Sequence, residues 1–299
     1  MHKPSLLVSG ISGQLGRSVI EQLSGRPGHR LIGTTRTPTS RLDFATHGID
    51  VRYANFDDPS CLAKAFDGAD RILLISTSAE YCGPRRVEQH RHAIAAARDA
   101  GARQLIYTSL LNADASPLGP IASDHAATEA MLQASGLRYL ALRNCFYMEM
   151  LLSPLQRAVA TGEWISAAEQ GRVAYITREN CAAAAAAALS LNLEDSQILN
   201  ITGPVSLSGK EVVAIANAVL GTSIRFRAVT KEEAASHMTA TGIPAPMAKL
   251  LAYIDWCVSQ QAMSPASDDF RLLTGYRASS VEDFLITHRE SLLRFLRHR

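Results

Sequence analysis

Short apolar runs alternate along the first half of the chain with stretches whose apolar residues recur every three or four positions. Leu6, Leu7 and Val8 are long enough for a buried strand, and Leu15, Val19, Ile20 and Leu23 mark one face of a helix. Leu31-Ile32-Gly33-Thr34-Thr35 reads as a second strand and residues 51–55 as a third. Asp58-Pro59 fits an N-cap followed by proline at the first helical position, with the helix running to Phe66. Residues 71–75 are strongly apolar and predict a central parallel strand. A helix over 87–100, a strand over 104–109, a long loop over 110–120, a helix over 124–135 and a strand over 138–143 continue the alternation. Strand and helix in turn predict an α/β fold, a Rossmann-type doubly wound parallel sheet.

The second half is less regular. A strand over 172–176, a helix over 177–191 with seven consecutive alanines (Ala182 to Ala188) and a strand over 198–202 come first. Capping boxes at Ser208-x-x-Glu211, Thr230-x-x-Glu233 and Ser279-x-x-Glu282 then mark three helix starts. No repeat, flexible linker or charge block separates the halves, so a second lobe is expected to be interleaved with the first.

The turn between the first strand and the first helix carries glycines at Gly10, Gly13 and Gly16. In that context one glycine permits the turn, one lets backbone approach a pyrophosphate and one lets the helix pack on the strand. Free N–H groups at the helix start then hold phosphate. The spacing is G-x-x-G-x-x-G, and by itself it also fits a plain glycine turn. The second strand ends at Arg36, with Thr34, Thr35 and Thr37 around it, Arg41 nearby and no acid before Asp43. Arginine suits a ribose 2′-phosphate where a carboxylate would repel it, so NADP(H) is expected over NAD. Phe56-Asp57 falls where a strand end could touch adenine, and Ser76-Thr77-Ser78 would line the crevice at the carboxyl end of the central strand.

Composition excludes several classes. Apolar residues make 47% and charged residues 19% of 299, values of a globular protein with a core. A formal charge of +2 gives no reason to expect nucleic acid or a membrane surface as partner. Five scattered cysteines without a C-x-x-C pair speak against a disulfide framework or zinc, so no metal is expected and a reducing compartment fits. No signal segment opens the chain and no apolar run reaches the ~20 residues of a membrane span, so a cytoplasmic protein is expected. His90-Arg91-His92 puts two histidines on different helix faces, and this reads as a solvated face.

Basic residues are 25 arginines and five lysines, and no tyrosine is followed four positions later by lysine. The Tyr-x-x-x-Lys pair with which many enzymes of this fold exchange a proton is therefore missing. Simple alcohol–ketone interconversion needs such a partner. Quinones and related conjugated electrophiles, which accept hydride as delocalised anions, need much less.

The glycine turn, Arg36, Leu74-Ile75-Ser76-Thr77-Ser78, Ile106-Tyr107-Thr108-Ser109-Leu110-Leu111, Ser116-Pro117-Leu118-Gly119, His125-x-x-Thr128-Glu129, Leu142-Arg143-Asn144 with Tyr147, and Thr177-Arg178 together resemble the NmrA-like group of atypical short-chain dehydrogenases. Within it the chain is similar to bacterial NADPH:quinone oxidoreductases of the QOR2 type and to triphenylmethane reductase. The resemblance implies an NADP-binding Rossmann domain over 1–150, its sheet completed by 172–202, and a mainly C-terminal substrate lobe over 151–299. It implies that Gly10, Ser12, Gly13, Gln14, Leu15 and Gly16 hold the pyrophosphate and Arg36 the 2′-phosphate. Ser76, Thr77 and Ser78 would then follow the ribose, with Asn144 and Tyr147 near nicotinamide and substrate. Ser109 occupies the place of an active-site serine. His125 is either a proton donor or structural, and Tyr147 either meets a substrate oxygen or is a half-buried aromatic. Ala130 and Phe146 replace a lysine and a tryptophan of the family's quinone reductases, and residues 120–123 read as a longer loop.

The activity implied is hydride transfer from NADPH to a quinone or similar small aromatic substrate, with a homodimer compatible. Two alternatives stay open. One is a non-catalytic redox sensor of the NmrA kind. The other is a tailoring enzyme, reductase or oxygenase, acting on a quinoid natural product.

Overall fold

The computed structural model describes residues 3–37, 48–78, 80 and 82–294. Arg41 and Asp43 lie outside them. Seven parallel strands form one sheet in the order β3-β2-β1-β4-β5-β6-β9. They are β1 (Ser5–Val8), β2 (Arg30–Thr35), β3 (Asp50–Tyr53), β4 (Arg71–Leu74), β5 (Gln104–Leu110), β6 (Arg138–Asn144) and β9 (Gln197–Ile201). The strand order reverses beside β1, and the crevice at the carboxyl ends of β1 and β4 is where such folds take ligands.

The period-two alternation of each strand divides its residues between two cores. Leu6, Val8, Leu73 and Ile106 face one core, with α1 (Gln14–Leu23) and α6 (Arg178–Ser190) above them. Leu7, Ile72, Leu74, Leu105 and Tyr107 face the other, covered by α2 (Pro59–Phe66), α3 (Pro84–Asp99) and α4 (Pro120–Ala134). The alanine run is this packing's consequence. All of Ala182 to Ala188 except Ala187 are buried, and small side chains let α6 lie close to the sheet and α1.

A third core joins a 3-10 turn (Met148–Leu151), α5 (Leu152–Thr161), α7 (Gly209–Leu220) and α11 (Val281–Leu293). Two small sheets flank it: β7 (Glu163–Ser166) runs parallel to β11 (Arg225–Ala228), and β8 (Arg172–Val173) antiparallel to β10 (Leu207–Ser208). Between them lie α8 (Lys231–Ala240) and α9 (Ala245–Ser259), followed by α10 (Asp269–Thr274). Cys257, Val258, Met263 and Phe270 return to the first core, so the carboxyl-terminal half threads back under the sheet.

Four local expectations are corrected. The strand expected over 172–176 stops at Val173, because Ala174 N–H donates to Met263 O and Ile176 N–H to Phe146 O. Within 172–202 only β9 enters the large sheet. The helices expected to start at residues 87 and 124 start at Pro84 and Pro120, since proline is favoured in the first turn, where its missing N–H costs nothing. Residues 120–123 are thus helix, not loop. The third capping box is Ser280 with Asp283, one residue on, because Ser279 N–H is taken by Asn180 Oδ1.

Candidate active site

The glycine turn closes on itself. Gly10 sits at φ +62°, a left-handed conformation that side chains resist. A Cβ on Gly16 would lie 2.4 Å from Gly10 O, so α1 can start this close to the turn only with glycine there. The first turn of α1 has neither a side-chain cap nor an acidic residue. Its free N–H groups therefore keep the partial positive charge that attracts phosphate.

Beside it lies a groove of about 240 Å³. Gly10, Ser12 and Gly13 line one end. Arg36 and Phe56 lie at the end of the neighbouring strands, and Ser76, Thr77 and Ser78 just beyond the carboxyl end of β4. Three residues expected to meet the pyrophosphate do not line it. Leu15 is turned into the core, Gly16 serves close packing and Gln14 is exposed outside the groove. Asp57 is outside as well. Its carboxylate accepts from Arg85 Nη2 at 2.9 Å and Gln89 Nε2 at 2.9 Å. The hydrogen bond from Arg85 is the main cause that holds it below the ordinary carboxylate range.

The wall of the groove is pinned from three elements, a feature without local sequence signal. Ile75 N–H donates to Ser9 Oγ at 2.8 Å, Ser76 N–H to Thr108 Oγ1 at 2.8 Å and Thr77 N–H to His90 Nε2 at 3.1 Å. Three successive amides are thus satisfied by side chains of β1's end, β5 and α3, and the chain behind the groove is fixed before any ligand arrives.

Behind this wall sits a buried polar cluster. His90 Nε2 accepts from Thr77, so its proton is on Nδ1, which donates to Thr128 Oγ1 at 2.9 Å. Arg86 Nη2 donates to His125 Nε2 at 2.9 Å, so His125 Nδ1 donates to Tyr107 Oη at 2.8 Å. Burial, helped by the Arg86 charge, pushes His90 down to about 3 and His125 well below the usual histidine value. Both are neutral internal partners. The solvated face expected for His90 is therefore wrong: residue 90 is fully buried. His92 is half-buried, against Phe56 O. Both ring nitrogens of His125 are engaged inside the cluster, by Arg86 and Tyr107, and the residue does not line the groove.

The residues expected to carry chemistry separate. Ser109 Oγ donates to Glu129 Oε1 at 2.5 Å, and Glu129 pairs with Arg143 at 2.7 Å. Ser109 is committed to a buried ion pair and does not line the groove. Asn144 ends β6 with its side-chain oxygen buried and without a hydrogen-bond partner among the described residues. Its Nδ2 is 3.5 Å from Tyr147 Oη. Tyr147 is half-buried, with Arg178 Cζ 4.9 Å from its ring centre, and burial pushes its phenol above the ordinary range. Cys145 is buried, and desolvation pushes its thiol up to about 12, the environment of an inert structural cysteine.

Two residues beyond Asn144, Phe146 opens a second cavity, of about 350 Å³, in the other half of the molecule. Met150, Trp164, Tyr175 and Ile254 give it a mainly apolar and aromatic lining. Phe146 is fixed by the Ile176 N–H bond to its carbonyl, at 3.1 Å. No helix among the described residues is long and apolar enough to cross a membrane, and no group of three or more His, Cys, Asp or Glu among them is placed to hold a metal.

Comparison with known proteins fits this geometry. Residues 10–191 match the NAD(P)H-binding family. Quinone oxidoreductase 2 of Escherichia coli K12 is 33% identical over 279 residues, 93% of this chain and 96% of that protein. The structure of the E. coli NADPH-dependent quinone oxidoreductase QOR2 complexed with NADPH superposes with a TM-score of 0.86 at 32% identity, covering 97% of this chain and 99% of that one. Citrobacter sp. triphenylmethane reductase complexed with NADP(H) gives 0.88 at 29% identity, over 95% of this chain and 99% of that one.

Proposed function

The chain belongs to the NAD(P)H-binding family, and from that membership we propose that it is an NADPH-dependent reductase acting on a quinone or a similar conjugated aromatic electrophile. The observation that carries the reading is Asn144. Its buried amide oxygen has no partner among the described residues, at the end of a sheet strand and two residues before an aromatic cavity. A buried polar atom left unbonded costs about 1–3 kcal/mol, a cost that a ligand's hydrogen bond would remove.

The residues fit the cofactor. The uncapped start of α1 and Gly10, Ser12 and Gly13 would take the pyrophosphate, and Arg36 the 2′-phosphate that separates NADPH from NADH. Phe56 would meet the adenine, and Ser76, Thr77 and Ser78 would run along the ribose. Asn144 would meet the nicotinamide amide, with Tyr147 donating a hydrogen bond to a substrate oxygen. Bound there, NADPH would supply the hydride, and solvent the one further proton, that together convert a quinone to its hydroquinone. The protein's share is positioning and exclusion of water by Phe146, Trp164 and Tyr175. In this reading residues 1–150 hold the cofactor and 151–299 supply most of the substrate side.

Mixing the purified protein with NADPH and a panel of simple quinones, and following loss of NADPH absorbance, tests the proposal. Turnover above the uncatalysed rate is expected. Tight NADPH binding with no turnover of any acceptor would turn the reading to a dinucleotide sensor.

A further inference from the structure

The cavity that opens at Phe146 is apolar except for a few groups, and three of these carry formal charge: Arg157, Glu163 and Asp255. Two of the three are already engaged. Glu163 pairs with Arg225 at 3.0 Å and Arg227 at 3.4 Å. Asp255 Oδ2 accepts from Ser166 Oγ at 2.7 Å and Ala167 N–H at 2.6 Å, and burial raises its pKa toward the neutral form. Arg157, on α5, differs. It donates to Ser153 Oγ at 2.6 Å, one turn back on its own helix, and forms no ion pair with a carboxylate among the described residues. Desolvation alone perturbs it, lowering its pKa.

A guanidinium carries five N–H donors in a planar fork that matches a carboxylate or sulfonate. A half-buried cation in a mainly apolar wall costs free energy unless an anion joins it. An aromatic ring would fill the space between Phe146, Trp164 and Tyr175, while an acidic substituent on that ring would answer Arg157. Resting on the reductase reading above, we propose that the preferred acceptor is an anionic aromatic: a quinone or related conjugated ring bearing a carboxylate or sulfonate that pairs with Arg157. The redox step is unchanged. The acid group stays ionised and takes no part in the electron count, so its role is selection and orientation.

The test compares a naphthoquinone sulfonate with the parent naphthoquinone in kcat/KM, and naphthalene sulfonate with neutral naphthalene methanol in binding by equilibrium dialysis. The dialysis needs no turnover. If no quinone is reduced the reductase reading fails, and dialysis still decides the charge preference. Wild type is expected to favour the anionic member in both pairs by roughly ten- to a hundredfold, the range for one charge-assisted contact. Arg157→Gln should bring the anionic-to-neutral ratio to about one, and Arg157→Lys should keep part of it because charge remains without the fork. No preference in wild type overturns the proposal. So does an Arg157→Gln protein, folded by its melting curve, that loses both members of a pair equally. If Arg157→Gln fails to fold, the Arg157→Lys ratio decides: an unchanged ratio overturns the proposal and a reduced one supports it.

Discussion

Thr77 N–H donates to His90 Nε2 across 3.1 Å, joining the wall of the groove beside the glycine turn to a histidine buried in α3. The bond fixes the His90 tautomer, and the tautomer in turn fixes the donor to Thr128. One residue thereby couples the groove wall to α4. His90→Leu would leave Thr77 N–H and Thr128 short of a partner. It is expected to lower stability by about 1–3 kcal/mol and weaken NADPH binding, read by denaturant unfolding and calorimetric titration.

Acid should destabilise the fold through the same cluster. His90 is held near 3 against an ordinary 6.5, and His125 is also depressed. Below pH 6.5 the unfolded chain takes up protons that the folded chain refuses, so stability is full above that pH and falls as pH drops. The slope contributed is about 1.4 kcal/mol per pH unit for each histidine in that range. Urea unfolding at a series of pH values measures it, and His90→Leu should show a shallower slope than wild type.

Arg36→Ala should separate the two nicotinamide cofactors. Loss of a charge-assisted contact to the 2′-phosphate is expected to weaken NADPH by roughly ten- to a hundredfold and to leave NADH nearly unchanged. Equal weakening of both would assign Arg36 to another role.

Gly16→Ala places a Cβ 2.4 Å from Gly10 O, a backbone atom that cannot step aside. The start of α1 would have to withdraw from the turn. A stability loss of about 1–3 kcal/mol is expected, together with weaker NADPH binding, in melting curves recorded with and without the cofactor.

Asn144→Ala and Ser109→Ala should fail differently. The Asn144 oxygen has no partner among the described residues and is proposed to meet ligand, so its variant should melt near wild type and lose about tenfold or more in kcat. Ser109 serves the Glu129–Arg143 pair, so its variant should lose about 1 kcal/mol of stability and less of its turnover. The reverse pattern would restore Ser109 to the chemistry.

The order of strands and helices through Asn144 was legible in the sequence, because apolar periodicity and turn glycines act over a few neighbouring residues. That Gly10, Arg36 and Ser76-Thr77-Ser78 would share one crevice was legible for the same reason: each sits where a strand ends. The burial of His90 and the partners of Asp57 and Ser109 were not legible, because Thr77, Arg85 and Glu129 come from other elements and no local pattern announces them. The short strand at Arg172–Val173 belongs here too, since Met263 and Phe146 claim the amides that would have extended it. Local sequence determined which segments are strand or helix and where a phosphate could lie. Tertiary packing alone decided which polar side chains are spent on each other and which, like the Asn144 oxygen, find no partner among the described residues. Hydrogen bonding and desolvation depend on what surrounds an atom in space, and that is set only once distant stretches of chain have packed together.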